Sequence, residues 1–226
     1  METEVNNTIV KKGYEFLREL CSFNADFNAF SRTLNPITNR VQYIMNRLDA
    51  HNIPYEVDKF QPILNVPDYE ENKFALVNIV VSIEGTNKDI TTVFLAHHDV
   101  VNLGTADKVA ENCQDNTASV ANLLDLCVRL SENKPANNVV VAFVDAEEIV
   151  NPVICGSQRL AQNILKGKYG QVKYAVNLEL TANGRNYWLS HNNQNNVLAK
   201  HIREIHPNTT RVRTPYNDAF ILEREG

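Results

Sequence analysis

The sequence predicts an α/β fold, a mostly parallel, doubly wound sheet flanked by helices, in a single domain over residues 1–226. Three observations predict it. The runs Ile90–Ala96 and Val139–Val144 are continuously apolar rather than alternating, the pattern of strands buried on both faces. From about residue 90 onward, strand-like and helix-like segments alternate. A chain of 226 residues, 43% hydrophobic and 22% charged, has the size and composition of one sizeable folded domain.

The elements follow in order. Residues 9–20 and 36–50 carry apolar side chains at helical spacing, with Pro36 suited to a first helical turn. Tyr55–Phe60, Phe74–Ile83 and Ile90–Ala96 read as strands, Asn116–Leu130 as an amphipathic helix and Val139–Val144 as a second buried strand. A helix over Ser157–Leu165, strands over Tyr174–Leu180 and Tyr187–Ser190, and helices over 195–205 and 216–225 complete the series. There are no internal repeats or low-complexity tracts.

Charge and composition remove several classes of function. With 22 Lys+Arg against 27 Asp+Glu, the net charge of −5 and the absence of a basic block argue against a nucleic-acid partner. No apolar run approaches the ~18 residues of a membrane span, and the acidic N-terminus is not a secretory signal, so the expected location is cytoplasmic. The four cysteines, Cys21, Cys113, Cys127 and Cys155, form no C-x-x-C pair and are expected to be reduced thiols.

Ligands of open α/β sheets bind at the carboxyl ends of the strands, so the residues just past each strand carry the information. His97-His98-Asp99 follow the first buried strand, and Asp145-Ala146-Glu147-Glu148 follow the second. Glu179 closes the strand that starts at Tyr174, and Asp115-Asn116 opens the helix at 116. Any one of these acids reads as a cap or a solvated residue. Together they would repel one another and raise each other's pKa unless a cation neutralised them. A mixed imidazole and carboxylate shell suits zinc, or failing that manganese or cobalt. Two such ions can activate a shared water, with an adjacent free carboxylate moving the proton.

The ordered set His97-x-Asp99, Asp115-Asn116, Glu147-Glu148 and Glu179 resembles the co-catalytic zinc exopeptidases. These include bacterial leucyl aminopeptidases, aminopeptidase Y, glutamate carboxypeptidase and glutaminyl cyclase relatives. Phe94-Leu-Ala-His-His-Asp-Val100, Gln114-Asp-Asn-Thr-Ala-Ser119, Val144-Asp-Ala-Glu-Glu148 and Gly156-Ser157 stand where the aminopeptidase branch has its motifs, over roughly residues 74–226. The resemblance implies two Zn2+ sites and a peptide substrate. His97 would bind the first metal, Asp115 would bridge both, Glu148 would bind the second, and Glu179 would complete the first. Asp99 would orient the His97 ring, and Glu147 would be general base and acid. His98 reads as a neighbour rather than a ligand, and the Asp115–Asn116 peptide is expected to be cis.

Three departures qualify this. Glu179 stands where the aminopeptidases most often have Asp, whereas Glu is more typical of the acylase and carboxypeptidase branches. Glu147-Glu148 is followed by Ile149-Val-Asn-Pro-Val-Ile-Cys155 rather than by Gly. The family's last ligand, a His on a further strand, would fall beyond Gly226, although Asp218 and Phe220 match the segment that precedes it. His191 is the one substitute that the pattern offers. The sequence therefore suggests a domain truncated at its C-terminus, with the second metal position incomplete. The expected activity is a terminal-residue peptidase of aminopeptidase type. The alternatives are an N-acyl amino acid amidohydrolase or carboxypeptidase, and an inactive relative; oligomeric state is not legible.

Overall fold

Two strands in the centre of the fold bury side chains on both faces, and that sets the layering. In the computed structural model, residues 13–23, 35–61, 75–100, 113–148, 155–181, 188–191, 196–212 and 217–225 are described. They form α1 (residues 13–21), α2 (Asn39–Ala50), β1 (Glu56–Phe60), β2 (Leu76–Ile83), β3 (Asn87–His97) and α3 (Thr117–Glu132). There follow β4 (Asn137–Val144), α4 (Gly156–Leu165), β5 (Val172–Asn177), β6 (Trp188–Ser190), α5 (Val197–Ile205), β7 (Thr210–Val212) and α6 (Asp218–Glu225).

The main sheet runs β1-β2-β4-β3-β5. Its β4-β3-β5 half is parallel, whereas β1 and β2 join it antiparallel, so the sheet is mixed. β6 and β7 form a separate two-stranded parallel sheet. β7 is absent from the sequence reading, and at three residues it is too short to show a period.

Alternation along β2 and β4 divides the core. Val77, Ile79, Val81, Val139, Val141 and Phe143 meet α1, α2 and α3 through Phe16, Leu20, Ile44, Leu48, Val120 and Leu124. Val80, Val140, Ala142 and Val144 point the other way, towards Leu160 of α4 and Tyr169. Helices on both faces explain the continuously apolar strands.

Helix α2 begins later than expected. Thr38 is its N-cap and accepts from the Val41 backbone N–H, so Pro36 precedes the helix instead of lying in its first turn. Cys21 and Cys113 form a disulfide, which corrects the expectation of four reduced thiols; Cys127 and Cys155 are free and buried. The Ile149–Ile154 part of the loop after Glu148 lies outside the described residues. Among the described residues, no helix is long and apolar enough to cross a membrane.

Candidate metal centre

Parallel register brings the site together. His97 ends β3 opposite Val144, the last residue of β4, so Asp99 and Glu147-Glu148 emerge side by side. On the other flank Leu95 pairs with Asn177, which places Glu179 two residues past the end of β5 at the same edge. Asp115 arrives from the start of α3 through a cis Asp115–Asn116 peptide bond.

The His97 imidazole is fully buried and surrounded by acid. Its Nε2 lies 3.1 Å from Asp115 Oδ1, 3.2 Å from Glu179 Oε1 and 4.0 Å from Glu147 Oε2. Its Nδ1 lies 3.1 Å from the Asp99 carbonyl and 3.4 Å from Asp99 Oδ1. Nδ1–H donating to Asp99 leaves Nε2 as the nitrogen that can ligate. His97, Asp115 and Glu148 each offer a ligand atom within 4.8 Å of one another. Glu179 approaches through His97 and is steadied by the Asn177 side-chain N–H at 3.3 Å. His98 turns away from this group and shares a 2.8 Å hydrogen bond with the Val77 carbonyl.

The β4 turn is held by buried polar groups. The Asp99 carboxylate accepts the backbone N–H groups of Glu147 and Glu148 at 3.3 and 3.1 Å, a second duty that spacing alone does not suggest. Asp145 is tied to β2: its carboxylate accepts from Val77 N at 3.0 Å, and its own N–H donates to Asn78 Oδ1 at 3.1 Å. Asn78 also donates to the Gly156 carbonyl at 2.8 Å. Gly156 lies so close to Asp145 and Asn78 that a Cβ there would collide with backbone, which accounts for the glycine of the Gly156-Ser157 pair. Ala146 adopts φ 70°, a conformation that non-glycine residues rarely keep outside functional turns.

Electrostatics report the surplus of acid. Burial pushes the Glu147 carboxyl up to about 8, with the charges of Asp218, Glu148 and Glu179 adding to the shift and His97 opposing it. Burial and the Asp115 charge push Glu148 up to about 7. Burial works against a charge on His97, yet hydrogen bonds to Asp115, Asp99 and Glu179 outweigh it and hold the ring well above its ordinary value. Asp218 of α6 is fully buried, and its carboxyl rises to about 6 chiefly through burial. Its influence on Glu147 makes it part of this electrostatic environment; the sequence offered only its match to a family segment. A neutralising charge would relieve this crowding of buried carboxyls. A divalent cation would do so with one imidazole and several carboxylates as donors, a set that fits zinc.

Residues 78–224 match Peptidase family M28. No curated protein sequence matches the chain. Among solved structures, a leucine aminopeptidase precursor from Bacteroides thetaiotaomicron superposes with a TM-score of 0.66 at 15% identity, over 95% of this chain and 80% of that one. A glutaminyl cyclase from an Acidobacteriales bacterium gives 0.70 at 16% identity, over 96% and 76%. A Zn-dependent exopeptidase from Parabacteroides distasonis gives 0.63 at 17%, over 95% and 80%.

Proposed function

Because this chain belongs to peptidase family M28, we propose that it is a zinc-dependent exopeptidase that releases the terminal residue of a peptide, in the manner of an aminopeptidase. The observation that carries the reading is the convergence of His97, Asp115 and Glu148 within 4.8 Å, with Glu179 Oε1 3.2 Å from His97 Nε2. These four residues would hold the metal.

A zinc ion bound there would lower the pKa of a water and polarise the scissile carbonyl. Glu147, whose Oε2 lies 4.0 Å from His97 Nε2, would serve as the base that takes a proton and returns it to the leaving amine; without a metal, burial raises its carboxyl to about 8. Asp99 keeps the ring of His97 in the ligating tautomer and, through the two backbone N–H groups it accepts, fixes Glu147 against it.

The test is Glu147→Gln. Zinc content is expected to stay near that of the parent while turnover of aminoacyl anilides falls by about 100-fold or more; retained turnover would refute the mechanism. The length of Glu179 supports a second reading, an N-acyl amino acid amidohydrolase or carboxypeptidase. A panel of aminoacyl anilides, N-acyl amino acids and N-terminal glutaminyl peptides separates the readings, the last because some fold neighbours are glutaminyl cyclases.

A further inference from the structure

The sequence shows no chemistry ahead of about residue 74, yet one side chain from that region reaches the frame of the metal centre. Arg40 lies in the first turn of α2 and is only 6% exposed. Its Nε donates to the His98 carbonyl at 3.0 Å, Nη1 to the Leu20 carbonyl at 3.2 Å, and Nη2 to Thr117 Oγ1 at 2.9 Å. None of these acceptors is a carboxylate. Burial lowers the guanidinium to about 10 against the supporting charge of Asp99, so it stays charged at neutral pH.

The acceptors are informative because of what they adjoin. The His98 carbonyl lies in the chain between His97 and Asp99, and Thr117 follows Asp115 by two residues. One planar, rigid fork therefore joins the end of β3 to the start of α3, the two segments whose side chains meet at 3.1 Å as His97 Nε2 and Asp115 Oδ1. The third acceptor closes a circuit. Leu20 precedes Cys21, whose disulfide partner Cys113 stands two residues before Asp115. The Asp115 segment is thus gripped on one side by the disulfide and on the other by Arg40.

We propose that Arg40 is a positioning residue of the metal centre, whose guanidinium sets the spacing between His97 and Asp115 and thereby the affinity for zinc. The proposal rests on the metallopeptidase reading above, and its test separates the two. Zinc affinity of the full chain is measured by competition with a chromogenic chelator, alongside the thermal midpoint of the metal-free protein and kcat and KM on an aminoacyl anilide. Arg40→Met, similar in bulk but without donors, is expected to weaken zinc about 10–100-fold and to lower kcat more than KM. Arg40→Lys, with the charge but not the fork, restores part of the affinity. Thr117→Val, which keeps the shape and removes one acceptor, weakens zinc by a few-fold and tests the same link should Arg40→Met fail to fold. A lowered midpoint with unchanged zinc affinity across the folded variants makes Arg40 a merely structural residue and overturns the proposal. Failure of the parent chain itself to bind zinc overturns the metal reading instead, and this inference with it.

Discussion

The turns after β4 and β5 deliver acids to the same edge of the sheet but are held by opposite means. The β4 turn is anchored from within: Asp145 bonds to β2, Asp99 accepts two successive backbone N–H groups, and Gly156 packs against the turn without room for a side chain. The β5 turn is anchored from outside, by side chains at the start of α3. The Asn116 amide donates to the Leu178 carbonyl at 2.8 Å and accepts from the Leu180 N–H at 3.3 Å, bracketing Glu179 on both sides. Ser119 and Asn122 both meet the Thr181 hydroxyl, at 3.0 and 2.9 Å. Asn116 makes no side-chain cap on its own helix, an interaction typically worth about 1 kcal/mol, because its amide is engaged with this turn. Each turn contains a non-glycine residue at positive φ, Ala146 at 70° and Leu180 at 50°. The Asp145 and Asn78 bonds behind Glu147 and Glu148 are fully buried, whereas the Asn116 bonds that bracket Glu179 are part-buried and end at Leu180, which is 51% exposed. The difference makes Glu179 the more adjustable of the proposed ligands.

The strongest way to break this contrast is Asp99→Ala, since Asp99 serves both the β4 turn and His97. Zinc affinity is expected to fall about 10–100-fold, measured by chelator competition. Stability should drop by about 1–3 kcal/mol in urea melts, because two partly buried backbone donors lose their acceptor. Asn78→Ala removes the inner anchor without touching a proposed ligand; a stability loss of about 1–3 kcal/mol is expected from the lost buried bonds to the Asp145 N–H and the Gly156 carbonyl. Thr181→Val tests the outer anchor, with a stability loss near 1 kcal/mol and a fall in zinc affinity of only a few-fold. A loss for Thr181→Val as large as that for Asn78→Ala would erase the distinction between the turns.

The smallest expected effect is on pH. Folded-state pKa values of about 8 and about 7 for Glu147 and Glu148 lie above the ordinary 4.5, and His97 is raised as well. The folded metal-free chain therefore holds protons that the unfolded chain has released, and all three groups act with the same sign. Their contribution to stability is largest at low pH and is lost as pH rises through about 7 and 8. Thermal melts of the metal-free chain between pH 6 and 8.5 should show the midpoint falling, and zinc should suppress that fall by taking the protons' place.

The acids at the strand ends were legible because runs such as Val139–Val144 mark buried strands and so mark where those strands stop. Strand direction was not: β2 is as apolar as β4, but periodicity reports burial and not orientation, and β2 pairs antiparallel on both sides. Arg40 was hidden for a related reason. An arginine at the start of an amphipathic helix ordinarily reads as solvated, and only the packing of α2 against α3 turns it inward. Cys21 and Cys113 were unreadable as a pair because 92 positions separate them and no dense cysteine framework points to a pairing.

That disulfide also alters how the chain is connected. It closes a covalent ring from Cys21 to Cys113 that contains α2, β1, β2 and β3, and therefore His97 and Asp99, while Asp115, Glu148 and Glu179 lie outside it. A single peptide-bond cleavage within residues 22–112 would leave both pieces joined, and they would part on a denaturing gel only after reduction. Cleavage at any position C-terminal to Cys113 would release a separate fragment.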